Sequence, residues 1–344
     1  MTARAPAFWW RAPGWAAHLL APIGAVIGAF TLRRMARPGG AAPLPVICIG
    51  NPTVGGAGKT PTALWCLERL TTAGARPFAL LRGHGGAITT PTEVEPAHHD
   101  ANAVGDEALL LAAHGPTIVA GGDRLGGAQL AAARGATHVV MDDGFQNPSI
   151  AKDVSVLVVD GEVGVGNGYV LPAGPLRAPL APQIARADAV LLIGSGAAGE
   201  AVADCALSLG KTVLRGRLAP APDAIAALMG MELHAVAGIG RPDKFFATLE
   251  RAGLNVVART AFADHHRFTR AEIEALVADA EGARLVTTTK DMARLATSEL
   301  RDMQADFTAL PVTLELDQPA AFDALLRLAA RRFEARIASP AAED

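Results

Sequence analysis

Apolar positions fall into two regimes along this chain. From Ala12 to Leu32 they are nearly continuous, with no charged residue and a single histidine, His18; Arg4 and Arg11 precede the run, and Arg33, Arg34 and Arg37 follow it. About twenty such residues make a helix long enough to cross a bilayer. Three readings stay open. The helix spans a membrane, or lies in the interface with Trp9, Trp10 and Trp15 at headgroup depth and its arginines facing anionic lipid, or is an ordinary buried helix. Arginines at both ends leave the positive-inside rule undecided and favour the interfacial reading, and Pro22 weakens a straight spanning helix. A cleaved signal peptide is disfavoured, because no small-x-small site stands out and arginines follow at once.

Beyond a Pro/Gly-rich hinge at Arg37 to Pro45, short apolar runs alternate with helical stretches. Leu44 to Gly50 is rich in β-branched residues and predicts a strand buried on both faces. Further strands are expected at Phe78 to Leu81, Thr117 to Ala120, Thr137 to Met141, Val154 to Asp160 and Ala189 to Ile193. Helices fall between them, among others at Glu107 to His114 and Arg124 to Arg134. Such alternation implies an α/β fold with a mostly parallel sheet flanked by helices. A second block follows Pro220 and Pro222. It predicts strands at Leu233 to Ala237, Val256 to Ala261, Arg284 to Thr288 and Val312 to Leu316. Its helices are expected over Pro242 to Ala252, after a Thr269/Glu272 capping box, and over Ala320 to Ala335. The expected organisation is an apolar helix and hinge (1–42), a P-loop domain (43–220) and a smaller α/β domain (221–344) whose closing helix can pack back on the first.

Composition narrows the function. Half of the 344 residues are hydrophobic and 19% are charged, which excludes a largely disordered chain. A net charge of -3 provides no basic face for nucleic acid, so anionic ligands must be held locally. The three cysteines, Cys48, Cys66 and Cys205, have neither disulfide nor zinc spacing and read as packing residues.

The strongest chemical signal is the glycine-rich turn after the first strand, Thr53-Val54-Gly55-Gly56-Ala57-Gly58-Lys59-Thr60, with Pro61 opening a helix. In such a loop backbone N–H groups face phosphates, the lysine reaches the β/γ oxygens and the Thr60 hydroxyl ligates Mg²⁺. Thr53 stands where the usual pattern begins with glycine. A second metal-binding carboxylate should end a neighbouring apolar strand, and Asp142-Asp143 supplies it, with Asp142 the better placed. The guanine-reading N/T-K-x-D spacing is absent, since Thr289-Lys290-Asp291 lacks the intervening residue, which leans towards ATP. Other polar residues cluster in loops: Arg82-Gly83-His84-Gly85-Gly86, Gly105-Asp106-Glu107, Gly166-Asn167-Gly168, the run Leu171 to Arg177, and Asp264-His265-His266.

In this order, TVGGAGKTP, RGHGG, GDE, DDGFQ, GNG with LPAGPLR, FADHH and TTTKD resemble the tetraacyldisaccharide 4'-kinases of Gram-negative bacteria over about residues 8 to 335. That resemblance implies transfer of the ATP γ-phosphate to the 4'-hydroxyl of an acylated glucosamine disaccharide 1-phosphate at the cytoplasmic face of the inner membrane. It also implies two α/β domains joined by a hinge. Carried over residue by residue, Thr53 to Thr60 hold the ATP phosphates and Asp142 and Asp143 the Mg²⁺ neighbourhood. Asp106 matches the general base, assisted by His265 from the second domain, with Lys59 neutralising charge. Arg82, Asn167 and Arg177 match positions near the disaccharide or phosphates. The sequence departs from the family at His84, Asn147, Ala178 and Thr289, where Tyr, His, Glu and Glu are usual. Two readings from other classes stay open: a membrane-associated P-loop ATPase switch and a P-loop kinase of a soluble metabolite.

Overall fold

The structure, a computed structural model, describes residues 5–338 except 265 and 298. After a short turn at Ala7–Trp10, the apolar run folds as α1 (Trp15–Met35). Its small residues face inward: a Cβ on Gly24 would come within 2.6 Å of the Val170 carbonyl oxygen, and one on Gly28 within 3.0 Å of the Pro179 ring. Trp15, Leu19, Val26 and Phe30 point outward and are exposed, so α1 is not an ordinary buried helix. Pro22 is accommodated without breaking it.

The large unit continues through β1 (Val46–Gly50), α2 (Lys59–Thr72), β2 (Pro77–Leu81), β3 (Thr92–Glu93), α3 (Ala101–Val104) and α4 (Asp106–Ala112). β4 (Thr117–Val119), α5 (Arg124–Ala133), β5 (His138–Asp142), β6 (Val154–Asp160), α6 (Leu180–Arg186), β7 (Ala189–Ile193), α7 (Ala197–Ser208) and β8 (Thr212–Pro220) complete this part. The small unit holds α8 (Pro222–Leu228), β9 (Glu232–Ala237), α9 (Pro242–Arg251), β10 (Asn255–Ala261), α10 (Arg270–Asp279), β11 (Arg284–Thr288), α11 (Thr289–Leu295) and β12 (Phe307–Leu310). The chain then returns as β13 (Val312–Leu316) and α12 (Pro319–Ala338).

The large sheet has nine strands in the order β13-β8-β7-β6-β1-β5-β2-β4-β3, and the small one four, β10-β9-β11-β12. Every pairing in the small sheet is parallel, and in the large sheet only the two edge pairs, β13 with β8 and β3 with β4, are antiparallel. Strands β1, β2, β6 and β7 are buried along their whole length, as expected when helices cover both faces. Alternation splits β1 between two cores: Ile47 and Ile49 pack with α2, α4 and α12, Val46 and Cys48 with α5, α6 and α7. Both neighbours of β1, namely β5 and β6, come much later in the chain. This is the switch in strand order at which open α/β sheets bind ligands, beyond the carboxyl ends of the strands.

Three strands, β3, β8 and β12, were not expected from the sequence, and a fourth, β13, belongs to the other sheet. β8 was not expected, because Arg215 and Arg217, exposed on one face, interrupt its apolar pattern. β13, grouped by sequence with the second block, instead pairs with β8, and α12 buries Phe322, Leu325 and Leu326 against the large sheet. The chain thus leaves the large unit after Pro220 and returns at Pro311, and the Ala221 N–H donates to the Pro311 carbonyl at 3.0 Å to tie the crossings together.

Candidate active site

The phosphate loop joins the carboxyl end of β1 to α2. Gly55 and Gly58 take φ of 108° and 95°, in the left-handed region that favours glycine, and a Cβ on Gly58 would meet Ile193 at 2.4 Å. The helix opens at Lys59, two residues before Pro61, so the proline falls in the first turn where N–H groups lack helical partners. Lys59 is buried and its Nζ lies 3.5 Å from the Gly55 carbonyl, inside the curl of the loop. The front of the loop is spent on other contacts. The Val54 N–H donates to the Pro175 carbonyl at 2.9 Å, and the Thr53 carbonyl accepts from Arg177 Nε at 3.0 Å. The open cradle is therefore shorter than Thr53 to Thr60 and runs from Gly55 to Thr60.

The two adjacent aspartates have divided roles. Asp142 ends β5 in register with Ile49 of β1, is 2% exposed, and neither carboxylate oxygen has a hydrogen-bond partner among the described residues. Burial, with the Glu107 charge adding to it, pushes its carboxyl up to about 7. An orphaned buried carboxylate beside a phosphate loop is what a cation would satisfy, and with the Thr60 hydroxyl it fits Mg²⁺. Asp143, at φ 53°, turns away to a forked pair with Arg177, both contacts at 2.9 Å, and lies 3.9 Å from Lys59. Burial would raise its carboxyl, but Lys59 and Arg177 outweigh it and hold the group below the usual range. Arg177, expected as an open cation for substrate or phosphate, is thus a fastener between the phosphate loop and Asp143. Gln146 of the same DDGFQ motif donates to the Asn51 carbonyl at 2.8 Å, fixing the loop from below.

The acceptor side is assembled across the two units. Asp106 is the first residue of α4, after Gly105 at φ 89°, where a Cβ would meet the His84 carbonyl oxygen at 2.5 Å. This close approach explains why RGHGG and GDE lie together. The Asp106 Oδ2 accepts from Arg294 Nε at 2.7 Å, and its Oδ1 from the Glu107 N–H at 3.0 Å. Glu107 pairs with Lys290 at 2.6 Å, and its charge is felt by both Lys59 and Asp142, so α4 borders the phosphate loop. A second ionic contact joins the units further along the sheet edge. Asp160 at the end of β6 accepts from Arg241 at 2.9 Å and Lys244 at 2.8 Å.

The remaining expected residues scatter. Arg82 is exposed at the end of β2. Asn167 donates to the Ala173 carbonyl at 2.9 Å and the Phe8 carbonyl at 3.4 Å, while its backbone N–H donates to Trp9. Its side chain clamps the N-terminal segment onto the LPAGPLR loop instead of offering a free donor to substrate. His265 lies outside the described residues. Its neighbour His266 bonds Glu272 at 3.1 Å and stacks on Phe262, a structural role. Sequence reasoning missed Arg294, Lys290 as a partner of Glu107, and Arg124. Arg124 is 5% exposed, its Nε has no partner among the described residues, and it feels the charges of Arg82, Asp143 and Arg34.

A phosphate loop at the switch of a mostly parallel sheet, next to an unsatisfied buried carboxylate, defines a P-loop phosphotransferase site. The family model for tetraacyldisaccharide-1-P 4'-kinase matches residues 16–330. A tetraacyldisaccharide 4'-kinase of Xanthobacter autotrophicus is 65% identical over 340 residues, covering 97% of this chain and 99% of the relative. One of Azorhizobium caulinodans is 57% identical over 338 residues, covering 98% and 100%. A crystal structure of LpxK from Aquifex aeolicus in complex with ATP matches with a TM-score of 0.70 at 24% identity, over 92% of this chain and 99% of that one, and shows the shared fold. The chain belongs to the tetraacyldisaccharide-1-P 4'-kinase family and is a kinase.

Proposed function

We propose that the protein transfers the γ-phosphate of ATP to the 4'-hydroxyl of a tetraacyl glucosamine disaccharide 1-phosphate, at a membrane surface reached through α1. The observation that carries this reading is the position of α4. Glu107 feels Lys59 and is felt by Asp142, and Asp106 precedes it at the start of the same helix, so a hydroxyl presented to Asp106 would lie on the side of the terminal phosphate of a nucleotide on the loop. Phosphoryl transfer asks mainly for in-line positioning and charge neutralisation. Lys59 and the Gly55 to Thr60 amides neutralise phosphate charge, and Asp106 accepts the hydroxyl proton late in transfer. Mg²⁺, held by Thr60 and Asp142, would supply further charge stabilisation when bound.

The acceptor's anionic group has a matching feature in Arg124, a buried guanidinium whose Nε lacks a partner among the described residues and which feels the charges of Arg82, Asp143 and Arg34. For the membrane, α1 offers an exposed apolar stripe ending in Arg33 and Arg34. The test is incubation with ATP, Mg²⁺ and a detergent-dispersed tetraacyl disaccharide 1-phosphate. The expected product is the 1,4'-bisphosphate, and hydrolysis indifferent to lipid with no phosphorylated lipid would overturn the reading. Co-sedimentation with anionic vesicles, expected for the full chain and weakened by Leu19→Asp with Val26→Asp, checks the membrane surface.

A further inference from the structure

Helix α11 of the small unit points a buried cation at the large unit. Thr288 caps it by accepting from the Asp291 N–H at 3.1 Å, and Lys290 and Arg294, four residues apart, share one face. That face meets Glu107 and Asp106 at the start of α4. The two pairs differ in burial. Lys290 and Glu107 keep 29% and 26% of their side chains exposed, whereas Arg294 and Asp106 keep 7% and 9%.

Arg294 is itself held on its far side. Its Nη1 donates to Asp291 Oδ1 at 2.6 Å and to the Gly238 carbonyl at 2.5 Å. Asp291 is fully buried, and its Oδ2 accepts from the Gly238 N–H at 3.0 Å and the Thr288 hydroxyl at 2.7 Å. The Gly238 turn in its turn lies close to Ala263 and Asp264: a Cβ on Gly238 would lie 3.5 Å from the Ala263 carbonyl oxygen, and one on Gly240 would lie 3.1 Å from Asp264 Oδ2. A chain of hydrogen bonds thus runs from the Gly238 backbone through Asp291 and Arg294 to the Asp106 carboxylate.

Burying a guanidinium with two carboxylates costs desolvation that the ion pairing only partly repays, so simple adhesion between the units is poorly served by it. The more exposed pairs, Lys290 with Glu107 and Arg241 with Asp160, already provide adhesion. What the buried arrangement adds is direction: Arg294 fixes one oxygen of Asp106 while the Glu107 N–H fixes the other. We infer that Arg294 is a positioning residue for the acceptor step, orienting the Asp106 carboxylate through a contact that exists only when the small unit is seated on the large one. The inference rests on Asp106 acting on the acceptor hydroxyl.

The test is a double-mutant cycle on the full chain with Asp106→Asn, Arg294→Gln and the double variant, read as kcat and as KM for ATP. Arg294→Gln is expected to lower kcat roughly 10²-fold, the scale of a small misplacement of a catalytic group. KM for ATP should stay within about two-fold, because the phosphate loop belongs to the other unit. The double variant should lose no more than Asp106→Asn alone. Arg294→Lys should recover only a minor part, since an ammonium cannot bridge both carboxylates as a guanidinium does. Additive losses, or a KM for ATP that rises in step with the fall in kcat, would overturn the inference. Full activity of Asp106→Asn would instead overturn the underlying role of Asp106. Should Arg294→Gln fail to fold, Asp291→Asn keeps the volume and loosens the arginine, and is expected to lower kcat by a smaller factor with KM for ATP unchanged; wild-type kcat there would equally overturn the inference.

Discussion

The phosphate loop and the junction around Asp106 solve neighbouring problems by opposite means. The loop is contiguous in sequence, belongs wholly to the large unit, and is shaped by backbone: two left-handed glycines, a helix start and one lysine. The junction draws on residues 188 positions apart, belongs to neither unit alone, and is held by side-chain charges. Backbone cradles are preformed wherever the strand and helix exist. Charge pairs across units exist only in one relative placement of those units. Nucleotide binding should therefore survive disturbances that abolish transfer, and this asymmetry can be probed from both sides.

The largest effect is expected on the loop. Lys59→Ala should lower kcat by roughly 10³-fold, the scale of losing a preorganised charge contact at the reacting group, with the melting temperature nearly unchanged. A fall below about ten-fold would show that the loop lysine is not the principal neutralising charge. Next comes Asp106→Asn, expected to cost on the order of 10² in kcat while ATP affinity holds. Loss of ATP binding in that variant would erase the contrast between the regions. Arg241→Ala follows. It leaves Asp160 with Lys244, and because Arg241 is 35% exposed the loss of stability should be about 1 kcal/mol, with activity down less than ten-fold. An effect on kcat as large as that of Arg294→Gln would mean that seating in general, and not the Asp106 contact, controls the rate.

The last effect, on stability rather than rate, concerns pH. The Asp142 carboxyl titrates near 7 in the folded, ligand-free chain and near 4 when unfolded, so the folded state holds that proton more tightly. The resulting stability is complete below about pH 4 and is lost as pH rises towards 7. Asp142→Asn should flatten that decline, seen as a melting-temperature difference from wild type that grows by a few degrees between pH 4 and 7. Parallel curves for the two proteins would show that Asp142 is not the buried acid inferred from its orphaned oxygens.

Much of this was legible in advance, for reasons that follow the same contrast. β6 and β7 match their expected ranges because strands buried on both faces are nearly unbroken apolar words in the sequence. The Thr269 and Glu272 capping box appears as expected, since both partners lie within one turn. The loop and Asp142 were legible because their chemistry is written in consecutive residues. β8 was not, because a strand with Arg215 and Arg217 exposed on one face carries no continuous apolar signal. Arg294 and Arg124 were invisible for a different reason. A lone arginine in a helix reads as a solvated charge until the fold brings a carboxylate to it or removes its water. Arg177 and Asn167 were found as notable residues, but their partners, Asp143 and the N-terminal segment, could not be read from spacing.

The paired crossings at Ala221 and Pro311 also set an order of assembly on the ribosome. The small sheet is made entirely from residues between those crossings, so it can close while the large sheet still lacks its last strand and the helix that buries Phe322. The nucleotide half, first to be synthesised, is the last to be completed. A nascent chain stalled before β13 would thus carry every residue of the phosphate loop and of the Asp106 junction while the large sheet still lacked an edge strand and its covering helix.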